Sequence, residues 1–251
     1  MSTLNRIVSV GKRLAKDPEV FKKVTSVARS TAEMVRHDPA SIKHLKPWLT
    51  SLLPHHTTVA DEIPWVNFDA IAWLESWLRP DMRVFEYGSG GSSLFFARRA
   101  GHVTSIEHDD GFFDFIAGVI DERNITNLDL LHLPPVDDGQ RLPYDGLTFR
   151  SFSQGHETHS FENYVKAIDG FDDASFDLVI VDGRARASCV MRAIPKVKPG
   201  GAILLDNAER EPYGAVQEHL RDLGWFEQRF RSLGPCNTYV WETTVFRRSR
   251  A

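Results

Sequence analysis

Between residues 84 and 109 the chain reads VFEYGSGGSSLFFARRAGHVTSIEHD, and Glu86, Gly88, Ser89, Gly90, Glu107 and His108 are the residues there that could do chemistry. An apolar, β-rich run passes through a Gly/Ser cluster into a helical segment, and a second apolar run closes on acid. Glycine tolerates positive φ and lets backbone N–H groups approach a ligand, while the helix that follows offers its positive end. Ser89, Ser92 and Ser93 add hydroxyl donors. This is the layout of a nucleotide-binding turn. Further along, Asp182 ends FDLVIVDGRAR and the Asp206-Asn207 pair ends GGAILLDNAER. Ligands of open α/β sheets collect at such strand ends. His156 and His159, in GHETH, could each act as a general base if their segment folds over an acceptor. Their spacing is not that of the H-E-x-x-H zinc motif.

The neighbours of the turn narrow its ligand. No Gly-Lys-Ser/Thr ending is present, which excludes the triphosphate-gripping loop. Position 93 is Ser, so the third glycine of the dinucleotide fingerprint is missing. Glu86 stands two residues before Gly88, where it would repel a pyrophosphate and favour a cationic or amino-bearing ligand. Glu107 follows Glu86 by 21 residues, a placement suited to accepting both ribose hydroxyls of a nucleoside. Asp109 and Asp110, just beyond His108, suit the cap of the next helix.

The pattern around these residues alternates between strand and helix. Strands are expected at 83–87, 103–107, 128–133, 177–181 and 202–206, and helices at 92–100, 112–121, 185–195 and 213–223. Alternation of this kind calls for a parallel sheet covered on both faces. At the C-terminus, WFEQRF and TYVWETTVFRR show period-two alternation and read as an antiparallel pair. IPWVNFDAIAWLESWL (63–78) reads as a helix packed on this domain. The segment 134–163 is a long connection, of a length that is more often functional than idle. Tyr164 and Tyr213 are further pocket candidates, though core or surface packing is the commoner use of each.

Residues 4–37 read as one or two amphipathic helices, with Leu4, Ile7, Val8 and Leu14 at helical spacing and Asp17-Pro18 suited to start a second. Residues 1–50 hold ten Lys/Arg against four Asp/Glu, a net of +6, and the remainder holds 20 against 30, a net of −10. The acidic body argues against a nucleic-acid partner. The basic leader is expected to be a helical cap or an element of a homodimer, with peripheral membrane contact as the alternative. No apolar run is long enough to span a bilayer. Cys189 and Cys236 lack any metal-ligand spacing and fit a reduced, cytoplasmic setting.

FEYGSGG, SIEHD, FDLVIVDG and KPGGAILLDN together resemble the class I S-adenosylmethionine (SAM)-dependent methyltransferases, over roughly residues 63–248. The resemblance implies an α/β fold with a Rossmann-like, seven-stranded, mostly parallel sheet ending in an antiparallel hairpin. The domain would span 61–251, behind a helical extension at 1–60. SAM would be the cofactor, with Glu86 near its methionine portion, Glu107 on its ribose, and Gly88, Ser89, Gly90 and His108 lining it. Asp182, Asp206 and Asn207 resemble the metal-binding set of catechol-type O-methyltransferases and would suit Mg²⁺. Those enzymes carry a lysine base shortly after the first Asp. Here Arg184 and Arg186 stand instead, and arginine stays protonated. The expected activity is methyl transfer, at oxygen, to a small-molecule or glycan-like acceptor, with Asp182, His156 and His159 as candidate catalytic groups. Two competing readings are a nicotinamide-dependent oxidoreductase and a non-catalytic, methyltransferase-like binding module.

Overall fold

VFEY, FDLVIV and AILLD present apolar side chains to both faces, and they occupy the middle of a seven-stranded sheet. The computed structural model describes residues 18–37, 39–143, 148–152 and 154–250. Its strands are β1 (Arg83–Tyr87), β2 (His102–Glu107), β3 (Leu128–His132), β4 (Val136–Asp137), β5 (His159–Ser160), β6 (Phe176–Val181), β7 (Val197–Asp206), β8 (Phe226–Ser232) and β9 (Trp241–Arg247). The main sheet has the order β3-β2-β1-β6-β7-β9-β8, and β9 alone runs against the rest. β1 is buried on both faces, whereas β3 alternates between buried and exposed, as an edge strand should. The small β4–β5 pair lies inside the long connection.

The helices are α1 (Pro18–His37), α2 (Leu45–Ser51), α3 (Thr58–Asp61), α4 (Phe68–Trp77), α5 (Gly91–Ala97), α6 (Asp110–Glu122), α7 (Glu162–Lys166), α8 (Arg186–Ala193) and α9 (Gly214–Asp222). One core cluster joins Leu74, Phe95 and Ile116 to Val84 and Ile180; the other joins Tyr164, Val190 and Leu220 to Phe85, Tyr87 and Val181. Period two along β1 therefore sends Val84 and Glu86 to the α5 face and Phe85 with Tyr87 to the opposite one.

The strands and helices expected from residue 83 onward are all present, with ends that move by a few residues. β7 starts earlier than expected, at Val197, and its pairing with β6 shifts register between Phe176 and Leu178. The helix expected over 63–78 is shorter, because Asn67 caps α4 by accepting from Ala70 N at 3.0 Å. The chain before it, including Trp65, runs as a loop.

The leader helix carried by Leu4, Ile7, Val8 and Leu14, and the Asp17 cap, lie outside the described residues. The second helix begins at Pro18 as expected. It docks through Ser26 Oγ, which donates to Thr238 Oγ1 at 2.8 Å, and through Ser30 Oγ, which donates to Thr238 O. Trp48 of α2 is fully buried in the same cluster as Val84 and donates to Asn237 O at 2.8 Å. The N-terminal helices thus fix residues 236–238, just before β9. Among the described residues no helix is long and apolar enough to cross a membrane.

Strand order reverses between β1 and β6, since the chain builds outward to β3 and then returns to the middle. Such a switch point opens a crevice at the carboxyl ends of the strands.

Candidate functional site

The crevice is a cleft of about 620 Å³. One wall carries Gly88 to Ser92 with Glu107, His108 and Asp109; the other carries Asp182, Arg184, Arg186, Asp206 and Asn207. The structure therefore brings nearly all of the expected site residues to one place, His156 included. Two fall elsewhere. Glu86 lies beneath the turn, fully buried, and does not line the cleft; His159 sits in β5, its ring 5.2 Å from that of His156 and behind it.

The turn is shaped by backbone constraints. Gly88 has φ +100°, and a Cβ there would stand 2.9 Å from Gly183 Cα, where the ends of β1 and β6 cross. Gly91 serves packing instead, because a Cβ would come 2.0 Å from Thr58 O in α3. A Cβ at Gly90 would meet Ser92 Oγ at 3.9 Å and Phe112 Cζ at 4.0 Å, both ordinary contact distances.

The two glutamates end up in opposite states. Glu86 accepts from Ser93 Oγ at 2.5 Å and Ser105 Oγ at 2.6 Å, and its Oε1 is buried without a hydrogen-bond partner. Burial raises its pKa from 4.5 to about 7, against the pull of those hydroxyls. Glu107 is held by charge-assisted bonds. One oxygen accepts from Ser89 N (3.2 Å) and Ser89 Oγ (2.8 Å), the other from His108 N (2.7 Å) and Asp109 N (2.9 Å). Burial opposes its ionisation, yet His108, Asp109 and Ser89 together bring its pKa down to about 2.

A raised carboxyl pKa means that folding disfavours the ionised form. The contribution of Glu86 is complete below about pH 4.5 and is lost as pH rises through 7. Glu86→Gln, which cannot ionise, is expected to remove about 3 kcal/mol of the wild type's stability loss between pH 4.5 and 8. Urea unfolding at several pH values reads this directly. Equal pH slopes in the two proteins would show that Glu86 does not titrate in the folded state.

On the facing wall the decisive group is Arg186. Its Nη2 donates to Asp182 O at 2.7 Å and lies 3.0 Å from Asp182 Oδ1. Its Nη1 donates to Asp206 O at 2.5 Å and lies 3.6 Å from Asp206 Oδ2, while Nε donates to Gly183 O at 3.0 Å. Asp206 Oδ1 accepts from Trp241 Nε1 (2.8 Å) and Thr243 Oγ1 (2.6 Å). Burial and the neighbouring Asp206 push the Asp182 carboxyl well above the usual carboxylate range, opposed by Arg186. Asp206 is raised by burial too, with Arg186, Thr243 and Trp241 opposing.

This arrangement does not fit the expected Mg²⁺. A permanent guanidinium cation already bridges the two acids, and Asp206 has one oxygen, Oδ1, committed to two protein donors. Among the described residues no group of three or more His, Cys, Asp or Glu is arranged to hold a metal ion.

A solved structure of a candidate O-methyltransferase from Klebsiella pneumoniae superposes on 90% of this chain and 98% of its own, with a TM-score of 0.52 at 14% identity. The chain has the class I methyltransferase fold. Two further solved structures resemble it less closely. One is a candidate methyltransferase from Streptococcus mutans in complex with S-adenosylhomocysteine (SAH), with 11% identity, TM-score 0.48, and 70% of this chain and 94% of that one covered. The other is an rRNA methylase from Streptococcus thermophilus, with 13% identity, TM-score 0.47, and 71% and 93% covered. No protein-family model matches the sequence. No curated protein matches it either.

Within the methyltransferase fold, several lining residues escape sequence reading. Trp65, Phe112, Asn237, Tyr239, Trp241 and Arg210 all border the cleft. Trp241 and Thr243 reach Asp206 because β9 lies antiparallel beside β7, with Asp206 paired to Thr243. Trp65 and Tyr239 are each about half exposed, at 52% and 53%, which puts both rings at the rim. Tyr164 and Tyr213 are buried, as expected.

Proposed function

We propose that the protein is a SAM-dependent methyltransferase that methylates a small-molecule acceptor at oxygen. The observation that carries this reading is the Glu107 carboxylate, ionised and fixed at the end of β2, beside a Gly88–Gly90 turn at the switch point of the fold. The cleft suits the cofactor: it is lined by the backbone of Gly88 to Gly90 beside the Glu107 carboxylate. When bound, SAM supplies a methyl group on a positively charged sulfur.

The chain's own residues do the rest. Glu107 would accept the ribose hydroxyls, taking them in place of Ser89 Oγ, which occupies one of its oxygens now. The backbone amides of Gly88 to Gly90 would set the position of the ligand. Asp182 would take the proton of the acceptor hydroxyl. Burial and the neighbouring Asp206 raise its pKa, so its carboxylate takes up a proton more readily than an exposed one. Arg186 would supply the fixed positive charge between Asp182 and Asp206. His156 borders the same space, and burial, aided by Arg184, lowers its pKa and keeps the imidazole neutral.

Calorimetric titration with SAH, NAD⁺ and NADP⁺ tests the reading. SAH is expected to bind saturably, with an affinity that Mg²⁺ does not change. Binding of a nicotinamide nucleotide alone would replace the methyltransferase with an oxidoreductase. Silence from all three would leave a non-catalytic binding module.

A further inference from the structure

The cleft is polar where the strands end and aromatic at its rim. Asp182, Asp206 and Asn207 line it at the carboxyl ends of β6 and β7. Among the described residues the exposed aromatic side chains are Trp65, Phe112, Phe115, Tyr239 and Phe226. Trp65, Phe112 and Tyr239 border the cleft, and the Phe115 ring lies 6.0 Å from that of Phe112. Phe226 is on the edge strand β8, where the Arg247 guanidinium covers its ring at 4.7 Å. The open aromatic surface of the described residues is therefore gathered around one cavity. Exposed rings scattered singly need no account, but a cluster at a cleft marks a place where a ligand is to be covered.

The exposure of Trp65 and Tyr239 is built into the fold. Trp65 stands between Pro64 and Val66, both buried, and two residues before the fully buried cap Asn67. Tyr239 stands two residues before the buried Trp241, its ring 5.4 Å from the indole. The two segments are laced together. Phe68 N donates to Leu233 O at 2.9 Å, and Asn67 Nδ2 donates to Trp241 O at 3.4 Å. A Cβ on Gly234 would stand 2.7 Å from Val66 O and collide with the Trp241 ring. Ser26 and Trp48 brace the Tyr239 segment from the other side, through Thr238 and Asn237. Neither ring is exposed because its loop is loose. An indole held in the open between buried neighbours forgoes the burial its area would gain, and a ligand supplies it. Phe112 is set apart, since it stands beside Gly90 on the wall of the turn.

We infer that the acceptor presents a flat ring face, aromatic or pyranose, which packs on Trp65 and Tyr239 at the rim of the cleft. Trp and Tyr offer large, rigid contact area at a low ordering cost. Their π faces are negative, so they attract the edge of an aromatic ring or the C–H groups of a sugar alike. Rings already fixed by the fold lose little freedom on binding. A ring seated at the rim can turn a hydroxyl inward to Asp182, which lines the same cleft. The inference names the acceptor class of the proposed methyltransferase and rests on that reading.

The test is calorimetry on the SAH-saturated protein, with naphthol and methyl glucopyranoside as separate probes. At least one is expected to bind saturably, and the tighter of the two identifies the ring. Trp65→Ala is expected to weaken that binding at least ~10-fold, and Trp65→Phe, which keeps a flat face, by less than about threefold. SAH affinity should stay within about twofold in both variants. A protein that binds SAH but neither probe, or a Trp65→Ala variant that binds the probe like wild type, overturns the inference alone. So does a Trp65→Ala variant that loses SAH together with the probe, which would assign the rim to the cofactor. A protein that does not bind SAH overturns the reading beneath it, and this inference with it.

Discussion

Glu107→Ala is expected to weaken SAH binding by at least ~100-fold, the largest single loss available in the cleft. Two ribose hydroxyls donating to an ionised carboxylate would each be worth about 1.5–3 kcal/mol, and alanine removes both acceptors. The carboxylate also organises its own surroundings. It accepts from the Ser89, His108 and Asp109 amides, so its removal loosens the turn as well as the ribose contact. Glu107→Gln separates these effects, because the amide keeps one acceptor oxygen and loses the charge. It should retain the fold and still lose much of the affinity. The pKa of about 2 adds a second readout: SAH affinity should show no titration from Glu107 between pH 5 and 8. Alanine and wild-type proteins of equal affinity would remove Glu107 from the cofactor site.

Arg186→Met is expected to cost about 3–5 kcal/mol of folding stability. It leaves the buried Asp206 and the partly buried Asp182 without their cation. For a chain of this length that is a fall of about 10 °C in Tm. Asp182→Asn in the same chain should recover part of it, since the amide removes one of the stranded charges. The same variant also tests the metal question. With the guanidinium gone, the acids could take a divalent ion, so Mg²⁺ should raise the Tm of Arg186→Met and leave that of the wild type unchanged. Calorimetric melts with and without 10 mM Mg²⁺, as an order-of-magnitude choice that saturates a weak millimolar site, decide it. Stabilisation of the wild type by Mg²⁺ would show that the ion can displace or join Arg186 after all.

These two predictions also mark what each level of description supplies. The sequence by itself determined most of the order of strands and helices from β1 onward, because apolar runs of period two and 3.6 are local properties; α7 and the β4–β5 pair carry no such run. VFEY, FDLVIV and AILLD could only be central strands, and WFEQRF with TYVWETTVFRR could only pair as an alternating hairpin. It also determined one wall of the cleft, since the glycine turn and Glu107 lie within one β1–α5–β2 unit and their spacing fixes their meeting.

Only the tertiary structure decided the facing wall. Asp206 meets Trp241 and Thr243 across a strand pairing of 35 and 37 residues' separation, and Asn237 and Tyr239 reach the rim because helices near the N-terminus brace the loop that holds them. The fate of Arg186 was equally hidden. A helix that starts at position 186 turns its side chain back between two strand ends. Glu86 shows the same limit from the other direction. Its position before the glycines was legible, but the parity of β1 and the approach of Ser93 and Ser105 sent its carboxylate beneath the turn. Local patterns fix which elements form. Which side chains share a cavity depends on register and packing between segments far apart in the chain, and no local pattern records those.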